Sequence, residues 1–259
     1  LLEGIPLKCI VRPEASVLAM ALDSTGARLA VVCEDNSIRI FDLETEKFVK
    51  TIKPPESDAA SFTHAAWRPG HDLLLLASND GKMDTLNLEE GQWLETWDPR
   101  VGSIRRLACG PNGTLLAVGG VRGIHIVDMD DRRPCGRINT PRKWLRALAW
   151  GPDGHTLAYG GGTPSSSGPA FVQKNAASGQ RFSQGGIRLW QLGDSRKTGR
   201  TLATTAAAIE VLAWHPDGQR LLSKAANFEA KIWDVTDFED VPVKQDLLTV
   251  SGIDGSGGR

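Results

Sequence analysis

The feature that most constrains this chain is a β-hairpin motif that recurs along its length. The segments LAWGPDGHTLAYGGG (148–162) and LAWHPDGQRLLSKAA (212–226) are near copies of an apolar run, a Pro-Asp-Gly turn and a second apolar run. Looser copies are LACGPNGTLLAVGG (107–120), AAWRPGHDLLLLASND (65–80) and MALDSTGARLAVVCED (20–35). The four turn prolines stand 42, 41 and 64 residues apart, at Pro69, Pro111, Pro152 and Pro216. Such a period predicts one supersecondary unit repeated along the chain.

Each repeat contains four short apolar runs. The hairpin is followed by a third run, such as SIRIFDL (37–43) or GIRLWQL (186–192), and by a weaker fourth, such as FVKTI (48–52) or WLETW (93–97). Strong helical periodicity is absent, so each unit is predicted to be a four-stranded antiparallel meander. Stacking such sheets around an axis buries both faces of each, which predicts an all-β fold, a β-propeller with five visible blades. The predicted units of this single propeller, which spans 1–259, are 17–55, 62–100, 104–142, 145–207 and 209–250.

The ends of the third runs carry a resemblance to a known family. The Pro-Asp-Gly turns together with IRLWQL, IRIFDL and KIWDV resemble the WD-repeat β-propellers over about residues 7–250. The position of the WD dipeptide is held by Phe41-Asp42, Leu86-Asn87, Val127-Asp128, Trp190-Gln191 and Trp233-Asp234. The resemblance implies that four tryptophans pack between blades, namely Trp150, Trp190, Trp214 and Trp233.

The repeats also depart from the family pattern. No unit has the Gly-His pair that often precedes the first strand, and only Asp35 and Asp80 stand where the family places a turn aspartate. We therefore expect an incomplete polar network and blades held together by apolar packing. The segment LKCIV (7–11) resembles the outer strand of a further blade, whereas DLLTV (246–250) already completes the fifth unit. An incomplete seven-bladed ring is favoured over a closed five-bladed one, and both interpretations stay open.

Composition limits the classes of partner. The chain has 31 acidic and 30 basic residues, so an argument for a charged partner must be local. Four cysteines without metal-ligand spacing, Cys9, Cys33, Cys109 and Cys135, are interpreted as reduced thiols, with disulfides or zinc ligation as the alternatives. No run of eighteen apolar residues exists, and a cytoplasmic or nuclear location inside the cell is expected. Because the sequence begins with Leu1, we interpret it as a processed or excised piece, or one whose beginning is missing.

Unit four contains an insert of about 22 residues between its second and third strands, over 163–185. The resemblance implies that this loop projects from the face that propellers use for docking. Phe171, Arg181 and Phe182 are therefore candidate partner contacts. The alternative is an unconstrained surface loop.

A second candidate surface is basic. The connections before units three and four carry arginines, a lysine and a tryptophan that adjacent blades would bring together as a basic rim: Arg105, Arg106, Arg142, Lys143, Trp144 and Arg146. This rim could accept an acidic or phosphorylated peptide, or an RNA backbone. The alternative is a solvated face offset by nearby acids.

The sequence has no G-x-S-x-G elbow, no H-E-x-x-H motif and no P-loop. We therefore predict no catalysis, no cofactor and no metal site. The predicted function is a non-catalytic protein–protein interaction scaffold, a subunit of a multi-protein complex. Two alternatives stay open, an RNA-associated propeller and the sensor domain of a longer enzyme.

Overall fold

A computed structural model describes residues 15–55, 61–141, 144–162 and 185–236, together with the backbone of 246–250. These residues form twenty β-strands in five antiparallel four-stranded sheets, and they contain no helix. In every sheet the strands pair in chain order, as a meander. The predicted all-β class and the five four-stranded blades are confirmed.

We number the sheets as blades 1 to 5 in chain order. Blade 1 consists of β1 (Val17–Leu22), β2 (Arg28–Cys33), β3 (Ile38–Asp42) and β4 (Lys47–Ile52). Blade 2 consists of β5 (Phe62–Trp67), β6 (Leu73–Ser78), β7 (Met83–Asn87) and β8 (Gln92–Trp97). Blade 3 consists of β9 (Ile104–Cys109), β10 (Leu115–Gly120), β11 (Gly123–Asp128) and β12 (Pro134–Ile138). Blade 4 consists of β13 (Leu145–Trp150), β14 (Thr156–Gly162), β15 (Gly185–Gln191) and β16 (Arg200–Thr205). Blade 5 consists of β17 (Ile209–Trp214), β18 (Arg220–Ala225), β19 (Ala230–Asp234) and β20 (Asp246–Val250).

The recurring Asp-Gly turns join the first two strands of a blade. Gly154 has φ of 69° and Gly218 has φ of 72°, a left-handed conformation that glycine adopts without steric cost. The Gly154 amide donates to the Gly151 carbonyl at 3.0 Å, and the Asp153 carboxylate accepts the Thr156 amide at 3.0 Å. A turn of fixed geometry determines which residues of the two flanking strands face each other. The turn residues therefore set the register of the hairpin.

The strands divide between two compact units, with the boundary between Asp98 and Pro99. The first unit holds blades 1 and 2, whose facing apolar side chains form one core that includes Val32, Ile40, Trp67 and Leu76. At the edge of this core the Arg28 guanidinium lies 4.7 Å from the centre of the Trp67 ring.

The second unit holds blades 3, 4 and 5, and its tryptophans join each blade to the one before it. Trp150 of blade 4 donates its Nε1–H to the Ala108 carbonyl of blade 3 at 3.0 Å. Trp214 of blade 5 donates in the same way to the Ala149 carbonyl of blade 4 at 3.1 Å. Two further tryptophans, Trp190 and Trp233, belong to the apolar cores between the same blades. The prediction that all four pack between blades is confirmed.

The polar network is incomplete, as expected. Trp233 Nε1 donates to Ser223 Oγ at 2.8 Å, and both side chains are buried. Trp190 Nε1 is also buried but has no hydrogen-bond partner among the described residues. Asp35 accepts from the Ser37 amide and pairs with Arg39 at 3.7 Å, and Asp80 accepts from the Lys82 amide and from Ser78 Oγ. The blades of each unit are therefore held mainly by apolar packing.

One face of blade 5 is exposed apolar surface. Val211 is 47% exposed and Leu222 is 41% exposed, on the face directed away from the core shared with blade 4. The equivalent face of blade 4 is covered by blade 5, which buries Ala147 and Ala158. The number of blades in the complete ring stays a prediction.

Candidate functional site

Three arginines of the predicted basic rim lie together on neighbouring strands of blades 3 and 4. Arg105 and Arg106 stand on β9 and Arg146 stands on β13, and these two strands contact each other. Arg106 Nε donates to the main-chain carbonyl of Arg146, and its Nη1 donates to the carbonyl of Arg105 at 2.7 Å. We call these three residues the basic cluster.

The positive charges of the basic cluster act on one another. Burial lowers the pKa of Arg106, and the neighbouring charges of Arg146 and Arg105 lower it further, while Glu210 acts in the opposite direction. Glu210 also forms an ion pair with Lys224. The Nε atoms of Arg105 and Arg146 are buried without a hydrogen-bond partner among the described residues. Three neighbouring guanidinium groups favour an anion close to them.

The rest of the predicted contact set is only partly described. Trp144 immediately precedes β13, and its ring meets the Tyr159 ring edge-to-face at a centroid distance of 6.2 Å. Five predicted contacts lie outside the described residues, and so does most of the insert at 163–185: Arg142, Lys143, Phe171, Arg181 and Phe182. Their roles stay predictions.

Trp144 also lines a cleft of about 330 Å³ beside blade 4. Its other walls include side chains that the sequence argument did not select, and we define the Trp144 cleft by Asn139, Pro141, Trp144, Tyr159, Gly186 and Arg188. The pairing of β14 with β15 brings Tyr159, Gly186 and Arg188 together, whereas Asn139, Pro141 and Trp144 come from the connection between blades 3 and 4. The basic cluster and the Trp144 cleft are two features of the second unit that bear on partner binding.

Charge is segregated along the chain, a signal that the balanced totals conceal. Residues 132–209 contain 12 basic and 2 acidic residues, a net charge of +10, whereas the whole chain has a net charge of −1. We call 132–209 the basic segment. It covers the end of blade 3 and all of blade 4, and it includes Arg146 and Arg188. Counting charges in windows would have found this segment from the sequence alone.

The described residues include a partly buried histidine and three free cysteines. His125 Nδ1 lies 2.9 Å from the Pro99 carbonyl oxygen, and burial lowers the pKa of this imidazole. Within the described ranges, no group of histidine, cysteine and acidic side chains could hold a metal ion, and no disulfide joins Cys33, Cys109 and Cys135. In those ranges there is also no helix long and apolar enough to cross a membrane.

Comparison with known proteins gives one family model. Residues 4–42 match the model described as "WD domain, G-beta repeat". The chain is similar to WD repeat-containing protein SL1-17 of Schistosoma mansoni, with 27% identity over 59% of this chain and 50% of that protein.

Two further relatives share shorter stretches. Ribosome biogenesis protein ERB1 of Coccidioides immitis is 33% identical over 32% of this chain and 10% of its own length. WD repeat-containing protein JIP5 of Vanderwaltozyma polyspora is 33% identical over 30% of this chain and 14% of its own length. The matches therefore span half or less of the relatives' lengths.

Proposed function

We propose that this chain, whose repeats are similar to those of WD-repeat proteins, is a non-catalytic interaction scaffold, a subunit that holds partner proteins in a larger assembly. Stacked blades present many independent connections on a stiff frame, which suits binding several partners better than it suits a reaction. The matches span half or less of the known relatives' lengths, so this function is proposed for this chain and is not taken over from the whole relatives.

The basic cluster is the observation that carries the proposal. A buried N–H without an acceptor costs free energy, and here two such groups stand beside a third guanidinium whose charge is disfavoured by its neighbours. A carboxylate or phosphate of a partner placed beside these three arginines would offset the repulsion among their charges. The cluster thus favours a bound state over the free chain.

The charge of the surrounding surface indicates the partner's chemistry. The basic segment, with its net charge of +10, favours an acidic protein segment, because opposite potentials steer association and suppress wrong partners. One relative is named a ribosome biogenesis protein, which supports membership of an intracellular assembly. We therefore place the proposed partner in the cytoplasm or nucleus.

RNA is the second candidate partner, supported by the same net charge of the basic segment and by the same relative's name. An RNA backbone would be distinguished by its salt dependence. Its log affinity would fall against log salt with a slope of about −0.7 for each neutralised phosphate of a single strand.

The test removes charge from the basic cluster and compares the proteins that copurify with the chain, which we call its companions. A tagged chain carrying both Arg105→Gln and Arg146→Gln is purified from the natural source beside the unaltered chain, and complexes are weighed by native mass spectrometry. The matched control is Arg133→Gln, because this side chain is 83% exposed and pairs with Asp131 at the surface.

We expect the unaltered chain and the control to retain the same companions and the double variant to lose at least one. Companions kept at the same level by a folded double variant would overturn the role of the basic cluster. An unaltered chain that runs alone at 27.9 kDa would overturn the scaffold function itself. Companions that leave after ribonuclease treatment would transfer the proposal to RNA.

A second readout needs no partner. Removing the charges of Arg105 and Arg146 relieves their repulsion of the Arg106 guanidinium. The thermal midpoint of the double variant without partners should therefore rise at low salt. The rise should become smaller at higher salt, because salt screens the charges. The Arg133 control should show no such rise, because its charge is already paired in solvent.

A further inference from the structure

The Trp144 cleft has the dimensions and lining of a small side-chain pocket. Its lining includes Trp144, Tyr159, Asn139 and Pro141, together with Gly186 on β15. Its volume of about 330 Å³ is at the lower end of the range of about 300–1,000 Å³ for ligand pockets. Such a pocket admits one or two apolar side chains rather than a large ligand.

The absence of a side chain at Gly186 keeps the cleft open. A Cβ atom at this position would lie 3.0 Å from the Ala203 carbonyl oxygen and 3.7 Å from the edge of the Trp144 ring. Any side chain longer than alanine would extend from there toward the indole. The glycine therefore leaves aromatic surface uncovered, and uncovered aromatic surface inside a cleft favours an apolar occupant.

The cleft is held in shape by hydrogen bonds that do not need a ligand. The Tyr159 hydroxyl donates to the Thr198 carbonyl, and Arg188 Nη1 donates to the same oxygen at 3.1 Å. The main-chain N–H of Asn139 donates to the Lys197 carbonyl at 2.5 Å. This bond connects the end of blade 3 to the loop between β15 and β16 of blade 4. Binding to a preformed site loses less conformational entropy than binding to a mobile one.

Arg188 gives the cleft its charge preference. It is partly exposed, and no carboxylate pairs with it in the part of the chain that the structure describes. Other arginines of this surface have such partners, for example Arg196 with Asp194 at 3.1 Å. Arg188 also lies within the basic segment, so a ligand carboxylate beside the cleft would meet an unneutralised guanidinium.

We propose that the Trp144 cleft binds one apolar side chain of an acidic peptide segment, while a carboxylate next to that side chain pairs with Arg188. This inference rests on the proposed function, since it names the chemical class of the partner segment that the scaffold takes. It differs from the role of the basic cluster because it requires an apolar anchor as well as negative charge.

The experiment uses two labelled peptide probes on the full chain. One is a short polyglutamate with a single central leucine, and the other has serine in place of that leucine. Binding is measured by fluorescence anisotropy. Burying the leucine side chain in the cleft should make the leucine peptide bind about tenfold more tightly than the serine peptide. Equal affinities of the two peptides would overturn the proposal.

Two variants test the two halves of the site. Arg188→Gln should weaken the leucine peptide by about tenfold, because a charge-assisted hydrogen bond is lost. Arg133→Gln removes the same charge from the same basic segment at an exposed position and should change the affinity by less than about twofold. Thr201→Phe, at an exposed strand position that lines the cleft, fills it and should abolish the preference for leucine over serine. Thermal midpoints near that of the unaltered chain show that each variant is folded.

The outcomes separate this proposal from the proposed function. If Arg188→Gln and Arg133→Gln act alike, or if Thr201→Phe keeps the leucine preference, the cleft proposal fails. Companions that still depend on the basic cluster would then leave the scaffold function intact. If a labelled oligouridylate binds more tightly than either peptide and Arg188→Gln weakens it, the cleft is an RNA site and the peptide proposal is wrong.

Discussion

Tyr159 offers a sharp test of the packing between blades 3 and 4, because it is the single tyrosine of the chain. Its side chain is 1% exposed and its hydroxyl donates to the Thr198 carbonyl. Burial raises the pKa of Tyr159 from 10.0 to about 12, although the nearby Arg188 charge acts in the opposite direction. An ionised phenolate would lose its donor and face a carbonyl oxygen in a desolvated site.

The sign and size of the effect follow from linkage. The folded state holds the phenol proton more tightly than the unfolded state, so the stabilisation is fully present below pH 10.0 and is lost as the pH rises to about 12. A shift of about two pKa units corresponds to about 3 kcal/mol of unfolding free energy, of which about half is lost by pH 11. Tyr159→Phe should remove this pH dependence. At neutral pH it should cost only about 1 kcal/mol for the lost hydrogen bond, because the Thr198 carbonyl keeps the Arg188 donor.

Two measurements check this prediction. The tyrosinate absorbance of the folded chain, titrated with base, reports Tyr159 alone and should have its midpoint near 12. Denaturant unfolding of the unaltered chain and of Tyr159→Phe, at neutral pH and near pH 11, isolates the tyrosine from lysines that titrate in the same range. A midpoint near 10, or the same loss of stability in both proteins, would refute the buried, hydrogen-bonded phenol.

Three further predictions concern stability. Ser223→Ala should lower the unfolding free energy by about 1–3 kcal/mol, because the buried Nε1–H of Trp233 loses its acceptor; a thermal midpoint unchanged in calorimetry would contradict this. Gly120→Ala should lower the unfolding free energy by about 1–3 kcal/mol in urea, because the added Cβ would lie 2.6 Å from the Val101 carbonyl oxygen. The control Gly110→Ala should be close to neutral, because no atom lies nearer than 3.4 Å to its added Cβ. Desolvation raises the pKa of Asp217, but hydrogen bonds outweigh it and lower the pKa to about 2, so the stabilisation by this carboxylate is present above about pH 4 and is lost as the pH falls toward 2. Asp217→Asn should make the thermal midpoint less dependent on pH over that interval, and parallel plots of thermal midpoint against pH for the two proteins would contradict this.

The fold could be predicted from the sequence because its determinants are local. A Pro-Asp-Gly turn fixes a hairpin by the left-handed glycine and the aspartate cap, as Gly154 and Asp153 show. The tryptophans that join blades stand at equivalent repeat positions, so Trp150 and Trp214 make the same hydrogen bond to the preceding blade. Because the units repeat, the strand order of one correctly interpreted unit predicts the strand order of the others.

The candidate site was only partly predictable because it depends on contacts between blades. Arg105 and Arg146 were expected to meet through neighbouring blade connections; they do lie together, but on the contacting strands β9 and β13. Arg188 was missed, since its position beside Trp144 depends on the register of β14 with β15 and on a glycine that leaves the ring uncovered. The start of the basic segment, 132–146, was recognised from its six basic residues, but its extent to residue 209 was not, because the nearly equal totals of acids and bases concealed it.

The measurement that tests the central claim most directly is the affinity of the purified chain for polyglutamate, by isothermal titration calorimetry at low and physiological salt. The account predicts that Arg105→Gln with Arg146→Gln weakens binding by about tenfold or more, because two charge-assisted contacts are lost, and that Arg133→Gln does not. Affinity that is the same for the folded double variant and the unaltered chain would contradict the claim that the basic cluster is where an acidic partner binds.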